Sequence, residues 1–130
     1  MYLLDNDSAS LAFNGNRRVR TRIEQTADVD VWLSSIAAEE ALRGALAVIN
    51  WNRDKPGLPN ANDFLTRLLR FQGGFQIHPF DERAAVVYVS LTAKIKRVGS
   101  QDCRIAASAI SRGWIVVTAN QKDFSRISGE

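Results

Sequence analysis

One cysteine, one histidine and three prolines stand in 130 residues. With Cys103 alone there is no internal disulfide and no cysteine cluster for structural zinc. With His78 alone, a Cys–His pair or a Ser–His–Asp triad would have to be built on one imidazole, which precedes Pro79 in a loop-like stretch. His78 therefore reads as a structural residue. Long apolar runs are also missing, so nothing approaches the length that spans a bilayer. Leu3 and Leu4 are followed at once by Asp5, which does not suit a signal peptide. The expectation is a cytoplasmic protein with no membrane partner. If the chain is an enzyme, its chemistry falls to carboxylates and a hard metal ion that prefers oxygen ligands.

What is present suits a folded domain. The chain is 45% hydrophobic and 24% charged, enough to bury a core, and its length fits one domain over residues 1–130. Seventeen Lys and Arg against 14 Asp and Glu give a net charge of +3, compatible with an anionic partner but common among ordinary domains. The distribution says more. Arg17, Arg18, Arg20 and Arg22 crowd one segment and Lys94, Lys96 and Arg97 another. These read either as solvated helix faces or as contacts to a nucleic-acid backbone.

Along the chain, strands alternate with helices. Tyr2-Leu3-Leu4 reads as a short buried strand, and Asn6-Asp7-Ser8 offers N-cap residues for a helix carrying Leu11 and Phe13. Asn14-Gly15-Asn16 is a turn, and Arg17 to Gln25 a basic amphipathic helix. Val29 to Leu33 alternates as a strand. A long helix opens at Ser34-Ser35 and ends near Trp51-Asn52. Lys55-Pro56-Gly57-Leu58-Pro59 is a break, after which Asn60 or Asn62 can cap a helix closed by Gly73-Gly74. Phe75 to Phe80 reads as a third strand and Asp81 to about Arg97 as helix. Ser100 is expected to cap a helix from Gln101 to Ser111 that Gly113 terminates. Trp114 to Val117 is a continuous apolar run of the kind found in a parallel strand covered on both faces. The pattern implies an α/β fold with a parallel sheet.

In such sheets, ligands bind beyond the carboxyl ends of the strands. Asp5 follows the first strand and Thr118-Ala119-Asn120 the last, so both should lie at that edge. Glu39 and Glu40 separate by helical geometry. Glu39 has Arg43 four residues on, in the favourable order for an exposed ion pair. Glu40 shares a stripe with Ile36 and Gly44 beside the apolar face, where a carboxylate is costly unless paired or coordinating a cation. Glu40 is the functional candidate. Asp102 lies in a first helical turn, where the dipole alone would account for an acid.

Four segments together resemble the PIN domain, particularly the VapC-like toxins of bacterial toxin–antitoxin systems. Tyr2-Leu3-Leu4-Asp5 resembles the opening strand with its first acid. Ser34 to Gly44 resembles the segment whose second acid stands four residues before a glycine, which again selects Glu40. Val98 to Ala107 resembles the Gly-x-x-Asp…Ile-Ala-Ala stretch carrying the third acid, Asp102. Val117 to Phe124 resembles the closing Val-Thr-x-Asn/Asp…Phe segment. The chain departs from the pattern in having Asn6 where a hydroxyl often follows the first acid, an extra carboxylate at Asp7, and Asn120 where some members have an acid.

The resemblance implies a three-layer α/β/α sandwich with a central parallel sheet and metal-dependent cleavage of RNA. Asp5, Glu40 and Asp102 would hold Mg²⁺ or Mn²⁺ directly or through water, with Asn120 or Asp123 completing the site. Implied partners are an RNA substrate, a protein antitoxin and a second copy of the chain. Leu11, Phe13, Trp51 and Phe64 could receive an antitoxin segment or could equally be plain core. Two other readings compete. Leu3-Leu4-Asp5-Asn6-Asp7 mimics the Asp-x-Asp start of haloacid dehalogenase-type phosphatases, with Asp5 as nucleophile and Asp7 as acid, but paired late acids and a lysine segment are wanting. Asp7 and Asn120 also suit a PIN fold kept for binding with a weakened metal site.

Overall fold

The computed structural model of the chain describes residues 1–91 and 99–118. In order these form β1 (Tyr2–Leu4), α1 (Asn6–Phe13), α2 (Arg17–Glu24), a 3-10 turn (Asp28–Asp30), β2 (Val31–Ser34), α3 (Ser35–Trp51), α4 (Leu58–Gly73), β3 (Gln76–His78), α5 (Glu82–Ser90), α6 (Ser100–Arg112) and β4 (Ile115–Val117). The four strands make one parallel sheet in the order β3-β2-β1-β4. Helices flank it as a three-layer α/β/α sandwich. Stepping from β1 to β2 to β3 moves the chain one way across the sheet, and the return to β4 crosses to the opposite edge. Right-handed crossovers then place α1 to α4 on one face and α5 and α6 on the other. The packing agrees, since α3 lies against α4 and α1, and α5 against α6.

The core sits on the two central strands. Leu3, Leu4 and Leu33 are buried in the sheet, and Cys103, Ile105, Ala106 and Ala109 cover them from α6. Each large aliphatic side chain so buried contributes about 1.5–3 kcal/mol. Small residues set the helix approach, with Ala9, Ala37 and Ala45 buried on α1 and α3. No described helix is long and apolar enough to cross a membrane.

Several local readings shift for identifiable reasons. Asp5 itself caps α1, its side chain accepting the Ser8 N–H, so none of Asn6, Asp7 and Ser8 is the cap. The second strand begins at Val31 and not at Val29, because the Asp30 N–H closes a tight turn onto the Ala27 carbonyl and leaves Val29 exposed. Gly57 caps α4 and Pro59 lies within its first turn, where a missing N–H costs nothing, so the break ends earlier than the two prolines suggest. Ser100 is the first residue of α6, not its cap; Gly99 takes that place at φ +145°, a conformation open to glycine. Gly113 does end α6 in the left-handed region. Ile115 of β4 is exposed and Val116 and Val117 are half-buried, so the strand is not fully covered on both faces as its apolar run suggests; among the described residues it is an edge strand. The expected helix beyond Ser90, and with it Lys94, Lys96 and Arg97, lies outside the described residues.

His78 is 97% buried at the end of β3, against Trp114 and Trp32 at ring separations of 4.9 and 6.5 Å. Among the described residues neither ring nitrogen has a hydrogen-bond partner. Burial holds its pKa below the ordinary value of 6.5, with Asp81 opposing and Arg112 reinforcing that shift. The folded chain therefore binds fewer protons at this site than the unfolded chain. Stability due to a neutral His78 is complete above pH 6.5 and declines as the pH falls from there toward the lowered folded value. His78→Phe should leave neutral-pH stability unchanged or higher, since two orphaned polar atoms vanish. It should also flatten the melting temperature between about pH 6.5 and pH 5. Scanning calorimetry across that range checks both, and equal slopes for the two proteins would exclude this role.

Candidate active site

The site grows from the β1–β4 pair. Their register sets Leu4 beside Val117, so the next residues, Asp5 and Thr118, emerge together at the carboxyl edge of the sheet. The Asp5 N–H donates to the Val117 carbonyl at 3.3 Å. The Ser8 hydroxyl donates to that same carbonyl at 2.8 Å, locking the start of α1 onto β4. Asp5 Oδ1 accepts the Ser8 N–H at 2.8 Å, and the Thr118 hydroxyl donates to the same carboxylate.

Asp5 is 98% buried. That burial pushes its carboxyl above the ordinary carboxylate range. Donors from Thr118 and Ser8 pull the other way, and the charge of Asp7 adds to the upward shift. No described cation pairs with it. A buried carboxylate in this state is poised for a countercharge, and its hard oxygens suit a small divalent cation.

Glu40 sits half-buried on α3 and lines a cavity of about 360 Å³ between α1, α3 and α4. Asn6, the residue after Asp5, lines the same cavity. Glu39 is exposed and paired with Arg43, as the helical spacing expects. Asp102 is half-buried in the first turn of α6, and its Oδ2 lies 3.6 Å from where a Cβ on Gly99 would stand. That separation is ordinary contact, so it is the positive φ at position 99 that calls for glycine. Asn120 and Asp123 lie outside the described residues.

The structure brings Asp5 together with Ser8, Thr118 and Asp7. It does not draw Asp5, Glu40 and Asp102 into one tight cage: among the described residues no three carboxylate, imidazole or thiol groups are close enough to hold an ion jointly. A magnesium ion does not require one, because it usually keeps several waters and is held by one or two carboxylates. Sequence reasoning placed Thr118 at this edge but missed its bond to Asp5. It also missed the double duty of Asp5 as helix cap, although Asp5-x-x-Ser8 carries the signal of a side-chain oxygen three residues before a helical N–H.

The chain belongs to the PIN domain family, whose profile matches residues 8–130. No curated protein matches it by sequence. Among solved structures it is similar to a chain of FitAB bound to an IR36 DNA fragment, at 27% identity and TM-score 0.74, covering 98% of this chain and 91% of that one. It is also similar to a chain of DNA-bound VapBC from Salmonella typhimurium, at 26% identity and TM-score 0.78, covering 98% and 92%. VapBC2 from Rickettsia felis, bound to a promoter DNA fragment, shares the fold at 23% identity and TM-score 0.75, covering 97% and 92%. Family membership leaves the phosphatase reading of Asp5-Asn6-Asp7 without support.

Proposed function

We propose that this protein is a metal-dependent endoribonuclease and the toxin of a toxin–antitoxin pair. The observation that carries the reading is Asp5: a buried carboxylate, hydrogen-bonded at the carboxyl edge of the sheet, without a described cation to balance it. Its oxygens would bind Mg²⁺ or Mn²⁺ directly. Glu40 and Asp102 would reach the ion directly or through water, with Asn120 or Asp123 completing the site. When bound, such an ion lowers the pKa of a water and offsets charge building on the phosphate. The chain supplies the rest. Thr118 and Ser8 hold the Asp5 carboxylate in one orientation, and the cap it forms fixes it to the rigid start of α1.

Structural similarity to chains of FitAB and VapBC supports a protein partner. The cavity lined by Glu40, Phe13, Phe64 and Leu68 would receive an apolar segment of an antitoxin. Phe13 is half-buried there against Phe64 and Phe71, and Phe64 and Leu11 are partly exposed, so these side chains are neither plain core nor free surface. Trp51 is 73% exposed, beneath the Lys55 ammonium. Homodimerisation belongs to the same proposal.

The deciding assay is cleavage of single-stranded RNA with Mg²⁺ or Mn²⁺, set against a chelator. Cleavage should require the metal and disappear in the Asp5→Ala, Asp102→Ala double variant. Activity surviving in that variant contradicts the site. Absence of cleavage together with absence of Mn²⁺ binding would favour the second reading, a PIN fold kept for binding.

A further inference from the structure

The four arginines of α2 do not behave alike. Arg20 turns back onto α1, its Nε donating to the Ala12 carbonyl at 2.7 Å and its Nη2 to the Phe13 carbonyl at 3.3 Å. It closes the carboxyl end of α1 and fastens the two helices together. Arg17, Arg18 and Arg22 are exposed, and among the described residues their guanidinium groups have neither a hydrogen bond nor an ion pair.

Two of these charges are badly placed for the helix that carries them, whereas Arg22 stands in the last turn, where the dipole favours it. Arg17 and Arg18 occupy the first turn of α2, where the helix dipole disfavours positive charge. Arg18 and Arg22 stand four apart as a like-charged pair, which costs about 0.2–0.5 kcal/mol. Glu24, the single acid of α2, lies in the last turn, where the dipole disfavours negative charge. Ile23 packs against the core and Val19 is half-buried, so α2 is seated by its apolar stripe and by Arg20, with no part played by the three exposed arginines. Arg17 and Arg18, set against the helix dipole and without a described partner, are a sign of an external requirement. The placement matters too. α1 starts directly after Asp5 and is eight residues, or about 12 Å, long. α2 begins three residues further on, bound to α1 through Arg20.

We infer that Arg17, Arg18 and Arg22 form a phosphate-binding surface that holds the single-stranded RNA substrate as it passes the Asp5 edge. The assignment rests on the ribonuclease reading above. It deepens that reading by separating three anchoring arginines from a fourth that is structural. Arginine suits the task, because its planar fork matches phosphate oxygens and remains charged at any working pH. Such contacts position the strand and carry no base preference.

The test is binding of a fluorescein-labelled polyuridine oligonucleotide to the full chain in chelator, titrated over salt concentration. Losing three phosphate contacts should lower the slope of log affinity against log salt by about 2 in the R17Q/R18Q/R22Q variant. Between about 50 and about 200 mM salt, the wild type should then lose about 20-fold more affinity than the variant. The melting temperature of that variant should hold or rise, since its like-charge repulsion is relieved. R20Q should do the reverse, melting lower with its slope intact. An unchanged slope in the triple variant overturns this assignment alone, provided the wild type binds and cleaves RNA. A wild type that neither binds nor cleaves RNA overturns it together with the ribonuclease reading. A lowered slope for duplex DNA with none for single-stranded RNA assigns the surface to DNA and overturns the proposal.

Discussion

Replacing Asp5 with asparagine is expected to lower RNA cleavage by more than about 100-fold, beyond what loss of an outer-shell partner costs a metal site. The same change should leave the fold as stable as before or more so. The two effects have one cause. Burial holds the Asp5 carboxyl above its ordinary range, so between that range and the raised value the folded chain keeps a proton that the unfolded chain has lost. Stability from this group is thus present at low pH and declines as the pH rises through the folded value. Asparagine removes the charge yet remains an N-cap acceptor for the Ser8 N–H. Alanine separates the two roles. Asp5→Ala should be equally inactive but should lose the cap, worth about 1 kcal/mol, and melt about 4 °C lower than Asp5→Asn. Differential scanning fluorimetry beside a cleavage assay reads both quantities. Equal melting temperatures for the two variants would remove the capping role, and residual cleavage in both would remove the catalytic one.

Gly44 offers an opposed pair of effects. It lies exposed in the middle of α3 and lines the cavity, and a Cβ built there meets nothing within 4 Å. Glycine in a helix interior costs about 0.5–1 kcal/mol relative to alanine, and no local clash here demands it. Gly44→Leu should therefore raise the melting temperature while its side chain fills space that an antitoxin segment would occupy. Loss of one central anchor pocket costs an interface about 2–4 kcal/mol, so partner affinity should fall by roughly 30- to 1000-fold. Cleavage of a short RNA by the isolated chain should persist. Calorimetric titration with the proposed antitoxin tests the point. Undiminished affinity in a more stable Gly44→Leu variant would move the partner to another surface.

The parts of this fold that could be read ahead were those where one physical signal dominated. Leu3-Leu4-Asp5 announced a buried strand ending in a charge, and Gly113 announced a helix stop. The spacing of Glu39 to Arg43 resolved two adjacent acids, one now seen in an exposed pair and the other in a cavity wall. Boundaries failed where two signals overlapped. Pro59 looked like a breaker and instead begins a helix, because proline does both depending on whether its N–H is needed. Ser100 looked like a cap, yet the chain enters the helix through Gly99 at φ +145°, a conformation that favours glycine, and the helix starts one residue earlier. The burial of Ile115 was overestimated because an apolar run does not say whether both faces of its strand will be covered along their whole length.

The candidate site was legible in unequal parts. Asp5 and Thr118 could be placed at one edge from strand ends alone, and the β1–β4 register joins them. Their hydrogen bond was not legible, because nothing local in the sequence says that β1 and β4 are neighbours. Asp102 owed its selection to the family resemblance, since its first-turn position is explained as well by the helix dipole. The arginines of α2 looked uniform in sequence. Only the contact of Arg20 with the end of α1 divides them.

The central claim is that Asp5 anchors a divalent cation, and calorimetric titration of Mn²⁺ into the wild type and Asp5→Asn proteins tests it without recourse to any substrate. Saturable binding to the wild type is expected, accompanied by a rise in melting temperature as the ion stabilises the folded state, with loss of both in Asp5→Asn. Equal Mn²⁺ binding by the two proteins, or none by the wild type, would contradict it.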